Sequence, residues 1–268
     1  MTASMVTTGS VGELLRDWRQ RRRRSQLDLA LDAEVSTRHL SFVETGRSRP
    51  SRELVLHLAE HLEVPLRDRN RLLLAAGYAP VHRETPLEDE SMAPVRAALE
   101  TILRGHEPFP ALIVDGLSNL VSANGPLLAL MADGVASALL EPPVNVLRVS
   151  LHPDGLAPRI ANLVEWGTHL ITRLHRQVLL TGDERLVALR DELLTYPGVG
   201  GIAADVHDPA SMLFVPLRLR AAGGTELSFF STIATFGTAV DITLAELAIE
   251  SFFPADDATA TALRSGLG

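Results

Sequence analysis

The stretch 25–50, SQLDLALDAEVSTRHLSFVETGRSRP, constrains the fold more than any other part of the chain. Ser25 is placed to cap a helix, with Asp28 three residues on to complete a weak capping box. Leu29, Ala30 and Ala33 fall on one face of that helix, and Ala30 is small where two crossing helices must approach closely. Val35 follows a tight turn. Ser36 caps a second helix, predicted over Thr37–Glu44, with Leu40 and Val43 on its buried side. Gly46 then suits a C-terminal stop, because glycine enters the left-handed region without steric penalty. This is the spacing of two short helices joined by a tight turn and followed by a basic loop.

The flanks extend the pattern. Val11, Leu14, Leu15 and Trp18 recur at helical spacing over 11–22. Ser51 opens a helix carrying Leu54, Val55, Leu58, Ala59 and Leu62, and a fifth helix, predicted over Arg67–Ala76, ends at Gly77. Five short helices in about 70 residues make a compact all-α unit.

Residues 12–78 resemble the Cro/repressor-type helix-turn-helix domain of the xenobiotic-response-element (XRE) family of bacterial regulators, a five-helix lambda-repressor-like fold. The resemblance rests on Ser25-Gln26, Leu29-Ala30, Val35-Ser36, Ser41, Glu44-x-Gly46-Arg47 and Pro50. It implies a double-stranded DNA operator as partner and Gln26 as a phosphate contact. It also implies base reading by Thr37, Arg38 and Phe42, with Ser41 beside them. One position departs: Glu34 stands where the turn usually has glycine, so a non-glycine residue has to carry positive φ. Arg47 and Arg49, in the loop after the reading helix, are further candidates for phosphate contacts, as is Arg24 in the run Arg21–Arg24. That run reads equally as a solvated helix end complementing the helix dipole.

The chain as a whole is acidic, with a formal charge of −8. The charge is unevenly spread: residues 1–83 sum to +4 and residues 84–268 to −12. Such asymmetry points to a basic, nucleic-acid-facing domain joined to an acidic one. The absence of cysteine removes disulfides, thiolate nucleophiles and cysteine zinc sites together. No uncharged segment reaches the ~18–20 apolar residues of a membrane span, and no secretory leader is visible. A cytoplasmic chain with no membrane partner is expected.

The expected organisation is a disordered tail over 1–9, the helix-turn-helix domain over 10–78 and a proline-rich acidic linker over 79–92. A mixed α+β domain follows over 93–255, then a C-terminal tail over 256–268. In the second domain a helix is predicted over Pro94–Leu103 and strands over Ala111–Val114 and Leu120–Ala123. Asn124-Gly125-Pro126 opens another helix, and Arg159–Leu180 holds helical spacing for more than five turns. Strands over Leu213–Leu219, Glu226–Phe236 and Ala245–Phe253 complete an antiparallel meander with helices on one face.

This order is similar to PAS-type sensor domains. More closely, residues 95–253 resemble the MmyB-like ligand-binding domain, on Gly105-His106-Glu107-Pro108, Glu141-Pro142-Pro143-x-Asn145-x-x-Arg148 and Leu151-His152-Pro153-Asp154-Gly155-Leu156. The resemblance implies a PAS-like fold holding a small apolar, fatty-acid-like ligand. Seven of the eight phenylalanines lie in this domain, and Phe229 and Phe236 are candidates for the walls of a pocket of a few hundred Å3. Ordinary core packing accounts for them as well, and the sequence leaves both readings open. For the polar end of a ligand the candidates are Arg148, His152 and Arg159, since an arginine fork holds a carboxylate well. Their plainer roles are an ion pair, a turn and a helix cap respectively.

Chemistry for catalysis is scarce. His57 and His61 lack the glutamate of a HExxH pair. Asp205-x-His207-Asp208 sits beside Pro209 where aspartate commonly forms turns. No nucleophile elbow, Walker A loop or dinucleotide glycine pattern occurs. A one-component regulator is expected, binding as a homodimer, with no enzyme activity, metal or resident cofactor. The alternative for the second domain is a dimerisation or protein-interaction module without a cavity; an enzyme fused to the DNA-binding domain is the third reading.

Overall fold

A computed structural model describes residues 9–199, 215–221 and 224–265. The chain divides into two compact units, the first running up to Thr85 and also taking in Leu179–Thr181 and Thr238–Ala245; the break between Thr85 and Pro86 falls inside the segment expected as the linker. The tail expected over 1–9 lies outside the described residues except for Gly9.

The first unit is built from α1 (Val11–Arg21), α2 (Gln26–Asp32), α3 (Thr37–Glu44), α4 (Arg52–His61) and α5 (Leu66–Ala75). Four serines start four of these helices. Ser10, Ser25, Ser36 and Ser51 accept the backbone N–H of Glu13, Asp28, His39 and Leu54, and the first two form complete capping boxes. Each cap satisfies one of the donors that a helix start leaves without a partner. Leu15, Trp18, Leu29, Leu40, Val43, Val55, Leu58, Leu72 and Leu73 form the core. Glu34 has φ 52°, the conformation its turn demands. Gly12 lets α1 lie against the end of α3: a Cβ there would meet the Val43 carbonyl oxygen at 2.3 Å.

From Ala93 onward the chain forms α6 (Ala93–Gly105), β1 (Ala111–Val114), β2 (Leu120–Ala123), α7 (Gly125–Ala132), α8 (Val146–Leu151), α9 (Leu163–Thr181) and α10 (Glu184–Leu193). There follow β3 (Leu217–Arg220), β4 (Glu226–Thr235), α11 (Ile242–Glu246), β5 (Ala248–Pro254) and α12 (Asp257–Arg264). The strands make one antiparallel sheet in the order β2-β1-β5-β4-β3. β5 is therefore central, pairing Leu112 with Glu250 on one side and Ile233 with Glu250 on the other. Asn124 caps α7 and ties it to the sheet: its Oδ1 accepts the N–H groups of Ala111 (3.0 Å) and Leu127 (3.3 Å).

Three expectations are corrected. The long helix starts at Leu163, not Arg159, because Ile160 bridges Leu219 and the Ala161 N–H donates to the Arg218 carbonyl at 2.7 Å. Sheet pairing claims that backbone before a helix can. Ala245 and Glu246 belong to α11, since Asp241 accepts the Thr243 N–H at 2.9 Å and turns the chain. The C-terminal segment is no tail over Asp257–Arg264: Asp256 caps α12, which buries Thr259, Ala260 and Leu263. Leu213 and Phe214, expected in the third strand, lie outside the described residues.

Candidate DNA-reading surface and ligand cavity

Helix α3 turns Thr37, Arg38 and His39 to the exterior, with Ser41 and Phe42 half-buried beside them. The Arg38 guanidinium carbon lies 5.3 Å from the Phe42 ring centroid and that of Arg47 lies 5.9 Å away. Two cations thus converge on one ring, a favourable pairing at exposed sites. The four candidate base readers share one helix face region with Arg47 at its edge. His39 was not anticipated from sequence.

Beneath this face lies a network that the sequence reading missed. Glu44, the last residue of α3, is buried at 1% side-chain exposure. Arg19 of α1 grips it with two hydrogen bonds, Nε to Oε1 at 2.7 Å and Nη2 to Oε2 at 2.9 Å. Gln26 of α2 donates from Nε2 to Oε2 at 2.7 Å. Arg19 also donates from Nη1 to the Arg24 carbonyl at 2.8 Å. The bond to Glu44 raises the pKa of Arg19 further above its ordinary value. One carboxylate therefore links three helices and fixes the side chain of the phosphate candidate Gln26. The available clue was an acidic residue at a helix C-terminus, where the dipole disfavours it unless a cation answers.

The arginines expected at phosphates separate into two groups. Arg47 is exposed. Arg24 instead holds Asp32 at 2.6 Å, lowering that carboxyl's pKa. Arg49 donates from Nε and Nη2 to the Ala76 carbonyl at 3.2 and 2.9 Å and lies over the Tyr78 ring. Arg49 thus clamps the loop after α3 to the end of α5. Of the histidine pair, His57 bonds the Ala33 carbonyl at 2.8 Å and His61 faces Asp32 at 3.4 Å.

In the second unit the helix-covered side of the sheet lines a partly open cavity of about 80 Å3. Leu112, Phe229 and Phe252 of the sheet, Leu127, Leu130 and Met131 of α7, Val149 of α8, and Trp166 and Leu170 of α9 are among its walls. It is smaller than the few hundred Å3 expected, because large side chains from three helices and four strands reach into it. Polar groups in the described lining are few. Trp166 donates from Nε1 to Ser150 Oγ at 3.1 Å. Arg173 of α9 pairs with Glu250 of β5 at 3.2 Å.

Phe229 lines this cavity; Phe236, just beyond β4, does not. Nor do the three polar candidates. Arg148 makes a two-point pair with Glu192, both bonds 2.7 Å, which lowers the Glu192 pKa and raises that of Arg148. Tyr196 donates to the same carboxylate at 2.7 Å, and burial first, then this bond, push its pKa up to about 12. His152 accepts the Asp154 N–H at 3.0 Å and packs edge-on against Tyr196. Arg159 donates to the carbonyls of Leu130, Asp133 and Arg220. The motif around these residues is architectural. Asn145 caps α8 and donates to the Leu117 carbonyl at 2.9 Å. At Gly155 a Cβ would meet the Val149 carbonyl oxygen at 2.2 Å.

Arg173 and Glu250 escaped sequence reasoning, although periodicity contained them. Trp166, Leu170 and Arg173 stand at i, i+4 and i+7 on α9, and Ala248, Glu250 and Phe252 alternate along β5. Both charges sit on faces otherwise apolar. Asp205, His207 and Asp208 lie outside the described residues. Among the described residues no cluster could hold a metal ion, and no helix is long and apolar enough to cross a membrane.

The arrangement is a five-helix unit that presents helix α3 at its surface, followed by an antiparallel sheet with an apolar cavity. Residues 10–72 match a helix-turn-helix domain. Residues 95–265, more than half the chain, match the MmyB-like transcription regulator ligand binding domain, and the chain belongs to that family. It thus carries a helix-turn-helix domain and a transcription-regulator ligand-binding domain in one chain. No curated protein matches the chain. Among solved structures it is similar to one described as an RNA-binding light-oxygen-voltage receptor, at 13% identity and a TM-score of 0.27. That alignment covers 98% of this chain and 62% of the other, so the chain spans under two thirds of that protein; a likeness this low carries no argument.

Proposed function

We infer that the protein is a one-component sensor whose grip on an operator responds to a small apolar, fatty-acid-like ligand held in the second unit. The observation that carries this reading is the apolar cavity under the sheet. A dimerisation module would be expected to pack that space fully. At about 80 Å3 the cavity is below the ~150 Å3 that accommodates a benzene ring. A chain-like ligand therefore enters by parting lining side chains, and Met131 is the most adaptable of them.

In this reading Thr37, Arg38, Ser41 and Phe42 face base edges, while Gln26 and Arg47 hold the backbone. Arg24 and Arg49 contribute by shaping the surface. Two protomers engage a pseudo-palindrome with half-sites about one helical turn apart. Ligand alters affinity by favouring one protomer arrangement over another.

The test has two arms. Native mass spectrometry, followed by organic extraction, reads any co-purified apolar molecule. Selection from random DNA by the full chain reads the operator. A stoichiometric apolar ligand that changes operator affinity supports the sensor. A chain that extracts empty, and that binds no member of a fatty-acid panel, overturns the sensor half and favours an interaction module.

A further inference from the structure

Glu250 is the least expected residue of the second unit. It occupies the central strand of a five-stranded sheet at 6% side-chain exposure, between the apolar cross-strand neighbours Leu112 and Ile233. Its partner Arg173 reaches it from α9 through three contacts of 3.2–3.3 Å. The Arg19–Glu44 and Arg148–Glu192 pairs close to 2.7 Å. Burying the Glu250 carboxylate is costly, and its partner Arg173 keeps 29% of its side chain exposed, so the pair is poor evidence of a gain in stability. Both residues line the apolar cavity.

We propose that Arg173 and Glu250 form the polar end of the ligand site, and that they select a head group with no net charge. The occupant is an apolar chain ending in a hydroxyl or amide, or a carboxylic acid that brings one proton with it. This rests on the sensor reading above. Arg173 brings five N–H donors and Glu250 about four lone-pair sites, so the pair has capacity beyond its mutual contacts. A hydroxyl matches both partners, accepting from the guanidinium and donating to the carboxylate. A carboxylate matches only Arg173 and stands beside Glu250. A bound carboxylate and that of Glu250 repel each other across one guanidinium, so an acid is held best when it arrives carrying its proton.

The surrounding charges leave this balance in place. Arg173 and Glu250 are the only ionisable groups in the described lining. On α9, His169 is near the pair, and Arg176 is near His169. Burial first, and then Arg173, push the His169 pKa below its ordinary value, which favours the neutral ring. Ser150 on α8 and the strand neighbours of Glu250 carry no charge.

Calorimetric titration of the full chain with octanoic acid and with 1-octanol, from pH 6 to pH 8, tests the assignment. The Kd for 1-octanol is expected to stay level, whereas that for octanoic acid weakens about tenfold per pH unit. The alcohol profile is the internal control for any other titration, including that of His169. In Glu250→Gln, which keeps the shape and removes the second carboxylate, the octanoic acid profile flattens and its affinity at pH 8 rises about tenfold or more. Equal octanoic acid affinity at pH 6 and pH 8 in the unaltered chain overturns the head-group assignment while leaving the sensor intact. If neither compound binds at any pH, the sensor reading falls and this one with it. Titration of the unaltered protein is decisive even where a variant fails to fold.

Discussion

Glu34 holds a left-handed conformation that disfavours any side chain with a Cβ, by about 1–2 kcal/mol, while glycine there loses about 0.5–1 kcal/mol of backbone entropy. Glu34→Gly is therefore expected to stabilise the first unit by about 0.5–1 kcal/mol in urea unfolding. A loss of stability would show that the glutamate side chain itself contributes. Arg38 and Arg47 flank one ring but have different expected roles. Arg38→Ala should cost about 1–3 kcal/mol on the selected operator and relax preference at one base pair. Arg47→Ala should weaken binding evenly across sequences and lower the salt slope of log K by about 0.9. Quantitative gel shifts on matched and mismatched sites separate the two; identical profiles would mean that both arginines play the same role. Residue type alone could not make these assignments. Arg24, Arg47 and Arg49 read alike in sequence, and only folding shows that Asp32 and the Ala76 carbonyl claim two of them.

At the scale of elements, α8 and α10 are joined by Arg148, Glu192 and Tyr196. Tyr196 has its pKa raised from 10.0 to about 12. A raised value means the neutral phenol is favoured in the folded state, so this contribution is complete below pH 10 and disappears as pH rises through 12. The melting temperature should fall across that window. Tyr196→Phe should fall less over the same range, and equal falls would assign the loss to other groups. Element boundaries were legible where local signals agree: Ser25, Ser36 and Ser51 mark α2, α3 and α4, and helix Thr37–Glu44 and strand Leu120–Ala123 match the expected limits. Local pattern failed where distant backbone intervened. Ile160 has helical spacing with α9 yet bridges Leu219, a contact that no window around residue 160 contains. The same blindness hid the cavity's polar end. Arg148 lies in the motif and Arg173 does not, but only the latter lines the cavity.

For the whole molecule, the charge division of +4 before residue 84 and −12 after it sets long-range behaviour. The acidic portion repels a polyanion, so approach depends on the first unit presenting its arginines. Affinity for non-specific DNA should fall steeply with salt, by about 0.9 in log K per tenfold salt for each phosphate contact. Fluorescence anisotropy on random duplex DNA measures the slope, and a flat response would rule out the arginine-bearing face as the point of contact. The Arg19–Glu44–Gln26 network obeys a different rule. Its carboxylate is shielded from solvent, and mobile ions screen exposed charges far more than buried ones. Ionic strength can thus tune how tightly this protein holds DNA without retuning where its reading helix points. Attraction and alignment answer to different variables, so a cell whose salt content drifts would alter the occupancy of every site while leaving their ranking unchanged.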